Sequence, residues 1–214
     1  AWTYNSDNVS MLPAMINTLF MTVLALLLSV PFGVGAAIYL VEYAKKGNKL
    51  VGIIRVTAET LSGIPSIIYG LFGMLFFVTA LKWGYSMMAG AATLAIMVLP
   101  VIMRTTEEAL LCVPDSFREG SFGLGAGKLR TIFKIVLPSA IPGILSGIIL
   151  AIGRIVGETA ALIYTSGTVA NLAGFFDSGR TLAIHMYSLS REGMHTNEAY
   201  ATAVVLLIVV LIIN

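Results

Sequence analysis

The sequence predicts an all-α polytopic membrane bundle, and three observations carry that prediction. Hydrophobic residues make up 57% of the 214-residue chain and charged residues 11%, against roughly half and a quarter in soluble domains. Mean hydropathy is +0.91. The charges are separated by long uncharged runs: 34 residues between Asp7 and Glu42, 22 between Glu59 and Lys82, and 21 between Lys82 and Arg104. So few charges cannot clothe a water-soluble globule of this size. The net charge of +2 also leaves no basic surface for nucleic acid.

A helix rises 1.5 Å per residue, so about 20 apolar residues cross the roughly 30 Å of hydrocarbon. Spans are therefore expected over 13–41, 61–81, 85–103 and 141–164, with another beginning near Tyr200. The runs are continuous rather than alternating with a period of two, which excludes barrel strands. Lys45, Lys46, Lys49 and Arg55 fall in the loop 42–59, and Arg104, Arg118, Lys128, Arg130 and Lys134 in the loop 104–134. These nine of the thirteen cations sit on loops that alternate to the same side, which makes both loops cytoplasmic. The segment 165–199 and the N-terminus then face outward, so a further helix is expected before residue 1, for six spans in the intact protein.

Titratable clusters are sparse. Cys112, with Leu110, Leu111 and Val113 around it, reads as a packed, inert thiol. His185 and His195 lack zinc-ligand spacing and read as solvated residues of the outward segment. No Gly-Lys-Ser/Thr phosphate loop is present, and Met87, Met88 and Met97 read as packing.

The loop 104–138 carries more information than its length requires. Asp115 or Ser116 is placed to cap a short helix through Glu119. Gly123, Gly125 and Gly127 permit a sharp turn. A second short helix, 128–136, sets Leu129, Ile132, Phe133 and Val136 on one face, and Pro138 closes it before the next span. Such a hairpin suits either docking of a soluble partner or a bed of lipid headgroups. Its residues resemble a known signature. Glu119-Gly120-Ser121, Gly125 six positions after Glu119, and Ile135-x-Leu137-Pro138 are similar to the Glu-Ala-Ala coupling loop of ABC-importer permeases, with Gly120 and Ser121 in place of two alanines.

The resemblance extends along most of the chain. Gly63-Ile-Pro-Ser-Ile-Ile-Tyr-Gly-Leu-Phe-Gly73, Leu99-Pro-Val-Ile-Met-Arg-Thr-Thr-Glu-Glu-Ala109 and Gly153-Arg-Ile-Val-Gly-Glu-Thr-Ala-Ala161 resemble the phosphate-specific importer permeases of PstA type. The resemblance implies a type I, MetI-like permease fold over 1–214, with five of six helices present, in a bacterial or archaeal cytoplasmic membrane. It implies a PstC-like permease partner, two copies of an ATPase that bind ATP and magnesium, and an external phosphate-binding protein. No cofactor is expected in this chain. Glu119, Gly120, Ser121, Gly125, Phe133, Leu137 and Pro138 would meet the ATPase. A PstC-like permease, or one for sulfate, molybdate or amino acids, shares the loop and remains an alternative.

Arg154 and Glu158 interrupt an apolar span. Charges there are costly, face a bundle interior and mark function. Their i, i+4 spacing is expected to place both on one helix face. The guanidinium fork suits phosphate oxygens, and Glu158 is open to three roles: orienting the fork, offsetting its charge, or accepting a proton. An ion pair that only stabilises the bundle is the other reading. Gly63, Pro65 and Ser66 mark either a gate or an ordinary helix start.

Overall fold

The computed structural model describes residues 10–45, 47–193 and 195–213; Asp7 and Lys46, used above for a span limit and for orientation, lie outside them. In chain order the helices are α1 (Leu12–Ile38), α2 (Lys49–Ser62), α3 (Ser66–Gly73), α4 (Met87–Leu111), α5 (Asp115–Gly123), α6 (Lys128–Thr131), α7 (Leu137–Gly157), α8 (Ala160–Ile163), α9 (Leu182–Glu192) and α10 (Thr196–Ile213). Three π-helical stretches extend them: Tyr39–Tyr43 after α1, Met74–Ala80 after α3, and Ile132–Val136 between α6 and α7.

Among the described residues, four continuous helices are long and apolar enough to cross a membrane: Leu12–Tyr43, Met87–Leu111, Lys128–Gly157 and Thr196–Ile213. Four expectations change. The stretch 61–81 is not one helix from its start, because α2 occupies Lys49–Ser62 and the chain breaks before Ser66. Pro138 closes nothing, because α6, the π stretch and α7 form one 30-residue helix. The π stretch accommodates the N–H that proline lacks and the bulk of its ring. The segment after Gly157 is not a continuation of the span, and the outward segment 165–199 contains α9 rather than loop alone.

The chain forms two compact units. One gathers residues up to Leu28, Ile64–Val98 and the stretch from Ile152 onward; the other holds Ser29–Gly63 and Leu99–Ala151. The first unit is organised by polar bonds from α1 and α4 to the irregular segment 165–181. Asn17, 1% exposed, donates to the carbonyls of Asn171 (2.8 Å) and Arg180 (3.2 Å) and accepts from the Ala173 N–H at 3.2 Å. Thr18 Oγ1 accepts the Leu182 N–H at 2.8 Å. At the start of α4 the N–H groups of Ser86, Met87 and Met88 donate to the carbonyls of Thr165, Asp177 and Phe175 at 2.9–3.0 Å. Helix-start N–H groups have no partner within the helix, and loop carbonyls supply them here. Below these bonds Met21, Met87, Leu94, Met97 and Leu162 are fully buried. Gly70 lets α3 approach α8 closely: a Cβ there would sit 2.8 Å from the Cα of Ala161.

The second unit packs Ala37 and Leu40 against Met103, Leu110, Val113, Val136, Ala140 and Ile144. Helix α2 buries none of its own residues. Arg55, midway along it, forms an ion pair with Glu107 of α4.

Two consequences are measurable. Asn17→Ala strands the Arg180 carbonyl in a buried place and the Asn171 carbonyl and Ala173 N–H in part-buried ones, and an unpaired buried group costs about 1–3 kcal/mol. The purified protein should therefore lose several degrees of thermal stability, and an unchanged melting temperature would show those bonds to be idle. His185, 1% exposed, is not a solvated loop residue. Burial first, and the Arg180 cation second, lower its pKa from 6.5 to about 4. The unfolded chain then binds a proton that the folded chain refuses between those values, so this contribution to stability is full above about 6.5 and is lost as pH falls towards 4. The expected loss is on the order of 2–3 kcal/mol, and melting curves of His185→Asn should lack that part of the acid slope.

Candidate coupling loop and membrane site

Helix α5 starts after Pro114, whose φ of −58° and ψ of 140° set the helix entry; no side chain caps it. Asp115 stands in the first turn, where its charge favours the positive helix end, so neither Asp115 nor Ser116 is the cap. The helix ends in a turn closed by Leu124 N–H to Gly120 O (3.1 Å), Gly125 N–H to Phe122 O (2.9 Å) and Ala126 N–H to Ser121 O (3.1 Å). Of the three glycines read as turn formers, Gly125 alone has a positive φ, at 81°. Ser121, 4% exposed, bonds to Thr131 Oγ1 at 2.8 Å. The residue that replaces a family alanine thus ties the two coupling helices together. Gly120 is exposed, and a Cβ there would meet nothing within 4 Å.

The apolar residues of the second coupling helix split into two faces instead of one. Ile132 and Val136 are buried, while Leu129 and Phe133 are 63% and 51% exposed. With Phe117, Phe122 and Leu124, the last 92% exposed, they leave five large apolar side chains uncovered on one hairpin. Glu119 and Pro138 are also exposed, and Leu137 is half-buried.

Sequence reasoning missed Arg118. It is the hub of the loop: Nη2 donates to Glu42 Oε1 (2.7 Å) and to the Leu110 carbonyl (3.0 Å), Nη1 donates to the Val113 carbonyl (2.8 Å) and Asp115 Oδ1 (3.3 Å), and Nε donates to Glu42 Oε1 (3.1 Å). Its side chain is 14% exposed and that of Glu42 8%. The only signal was an Arg beside a motif Glu. Cys112 is exposed rather than packed, because α4 ends at Leu111 and the thiol sits on the turn into Pro114.

Arg154 and Glu158 do not share a helix face. Helix α7 ends at Gly157. Glu158, 9% exposed, lies beyond it and turns its Oε1 to accept the Ala161 N–H at 3.1 Å. The carboxylate thus supports the restart at α8, and among the described residues no ion pair joins it to Arg154. Arg154 is half-buried in the last turn of α7. A Cβ on the adjacent Gly157 would meet nothing within 4 Å.

Gly63 ends α2, with its N–H bonded to the Thr60 carbonyl at 3.2 Å, and Pro65, with ψ of 141°, precedes α3, which begins at Ser66. The segment is therefore a true break between two helices. A cavity of about 680 Å³ lies in the second unit, lined by Arg55, Glu59, Arg104, Glu107 and Glu108 among others. The Arg-Thr-Thr-Glu-Glu run that carried part of the resemblance forms one wall.

The sequence profile of the binding-protein-dependent transport system inner-membrane component family matches residues 29–214. Among curated proteins, the chain is 38% identical to the probable ABC transporter permease protein YqgI of Bacillus subtilis, over 92% of this chain and 73% of that one. It is 38% identical to the phosphate transport system permease protein PstA 1 of Mycobacterium tuberculosis, over 94% and 67%, and 37% identical to PstA of Yersinia pestis, over 89% and 65%. Among solved structures, a chain of the inward-facing MetNI methionine ABC transporter superposes with a TM-score of 0.71 at 21% identity, over 94% of this chain and 88% of that one. A bacterial ABC transporter that imports alginate gives 0.71 at 19%, over 94% and 77%. The fold is the type I ABC-importer permease fold, and the chain belongs to the family of binding-protein-dependent transport system inner-membrane components.

Proposed function

We propose that this chain is the PstA-type permease of an ATP-driven phosphate importer and lets phosphate pass from an external binding protein to the cytoplasm. The carrying observation is the coupling hairpin, whose two helices hold five large apolar side chains out of their own fold. Such an uncovered patch marks a protein interface. The names of the PstA relatives and the Arg154–Glu158 segment support phosphate as the substrate. ATP and magnesium belong to a pair of ATPase subunits docked on Glu119, Gly120, Ser121, Gly125, Phe133, Leu137 and Pro138. A PstC-like permease completes the pore in the cytoplasmic membrane.

Phosphate would meet the Arg154 guanidinium, which offers two parallel N–H donors to an oxyanion. Glu158 is committed to the Ala161 N–H, so its contribution is to hold the backbone beside the cation. Gly63, Pro65 and Ser66, where irregular backbone separates two helices, would serve as part of a gate, since irregular backbone within a membrane is tolerated where it lines a cavity.

The deciding experiment is uptake of labelled phosphate by the complete complex in vesicles, with sulfate as the competing anion; sulfate uptake without phosphate uptake would refute the substrate. Arg154→Lys keeps the charge and loses the fork, so uptake should fall by about tenfold or more while assembly and basal ATP hydrolysis persist. Wild-type uptake by that variant would reduce Arg154 to scaffold.

Gly125→Val tests the docking loop. Space is free around the position, so the cost is conformational, about 1–3 kcal/mol for a branched residue held at positive φ. The variant should insert normally yet lose the ATPase subunits or its transport. Normal uptake with the ATPase retained would remove the hairpin from coupling.

A further inference from the structure

The two coupling helices converge on one short stretch of the chain. Glu42 and Tyr43 are neighbours in the π-helical end of the first span, Tyr39–Tyr43. Glu42 holds Arg118 of α5 through a fork at 2.7 and 3.1 Å. Tyr43 lies under Lys128, the first residue of α6, with Nζ 4.9 Å from the ring centroid. We infer that the stretch Tyr39–Tyr43 receives the motion of the coupling loop, with Arg118–Glu42 as the stiff contact and Lys128–Tyr43 as the compliant one.

Three features support this assignment. Arg118 also holds the carbonyls of Leu110 and Val113, so one guanidinium joins α5, the end of α4 and the end of the first span. The pair is nearly closed to solvent; an ion pair of that kind is weakly screened and geometrically strict, unlike the exposed pair of Arg104 and Glu108 at 3.5 Å. Finally, the receiving stretch is a π-helix, a wider turn found as single-turn insertions at functional sites. Displacement of α5 therefore has to carry Glu42 with it or break a buried pair.

The inference rests on the reading of 104–138 as the ATPase-docking loop. Its test uses the complete complex in vesicles. Glu42→Gln keeps the shape and removes the charge, Arg118→Lys keeps the charge and loses the fork, and Tyr43→Leu removes the ring. A fluorophore on Phe32→Cys, in a Cys112→Ser background, reports ATP-driven movement of the first span without reference to any substrate; Phe32 is 71% exposed. All three variants should keep the ATPase subunits. The ATP-driven signal should fall about fivefold or more in Glu42→Gln and Arg118→Lys and about twofold in Tyr43→Leu, in the order of contact strength. The double variant Glu42→Gln with Arg118→Lys should be no worse than the weaker single. An undiminished signal in the assembled Glu42→Gln and Arg118→Lys complexes overturns the inference. So does a probe that stays silent to ATP in the unmodified complex, or loss of the ATPase from all three variants, which makes the contacts scaffold. Failure of the docking reading shows elsewhere, as a Gly125→Val complex that keeps both ATPase and uptake.

Discussion

Hydrocarbon offers no partner to an unpaired N–H or C=O, so a chain built of apolar spans has to close the ends and breaks of its helices with its own atoms. Much of this structure follows from that requirement. The start of α4 is closed by carbonyls of Thr165, Phe175 and Asp177, which fixes the path of the irregular segment. Asn17 closes three more backbone groups of the same segment from a single side chain. Where α7 stops at Gly157, Glu158 supplies the acceptor for the restart. Two of these closures, by Asn17 and Glu158, use a polar residue that hydropathy alone counts as a defect.

Prolines interrupt the same backbone ladder within the spans. Pro31, Pro100 and Pro142 sit inside α1, α4 and α7, where each removes one backbone donor. Serine and threonine hydroxyls also fold back onto carbonyls four residues earlier, as with Ser146 to Pro142 at 3.0 Å and Thr105 to Val101 at 2.9 Å, but these are not the carbonyls that Pro142 and Pro100 free, which belong to Pro138 and Ile96.

Charge spacing and hydropathy made most of the spans legible in the sequence, because length and apolarity decide insertion, and the glycine-bearing helical hairpin within 104–138 was legible as well. The breaks were not legible. Glu158 falls four residues after Arg154, and that spacing signals a shared face only if the helix continues; nothing local announces that it ends at Gly157. Pro138 carried the opposite error, since the helix runs through it from Lys128 to Gly157 with a π stretch just before the proline. His185 was misplaced for a related reason: a polar residue in an outward segment is solvated unless a helix forms there and packs, and α9 does both. Arg118 was invisible because its partner, Glu42, is 76 positions away.

The coupling hairpin also inverts the usual relation between polarity and burial. Toward its own chain it presents Arg118, Ser121 and Thr131, which bond to Glu42 and to one another. Outward it presents Phe117, Phe122, Leu124, Leu129 and Phe133. A periodicity reading assigns the apolar stripe to the interior, and for Ile132 and Val136 that is correct. For the others it fails, because within this chain nothing among the described residues covers them. Removing an arginine and a carboxylate from water is expensive, and the Arg118 fork offsets that cost with bonds to Glu42 and two backbone carbonyls. An apolar replacement of equal volume would fill the space but leave those carbonyls unpaired and the hairpin free to turn its aromatic residues inward. The buried polar contacts thus keep the apolar face where a partner can reach it.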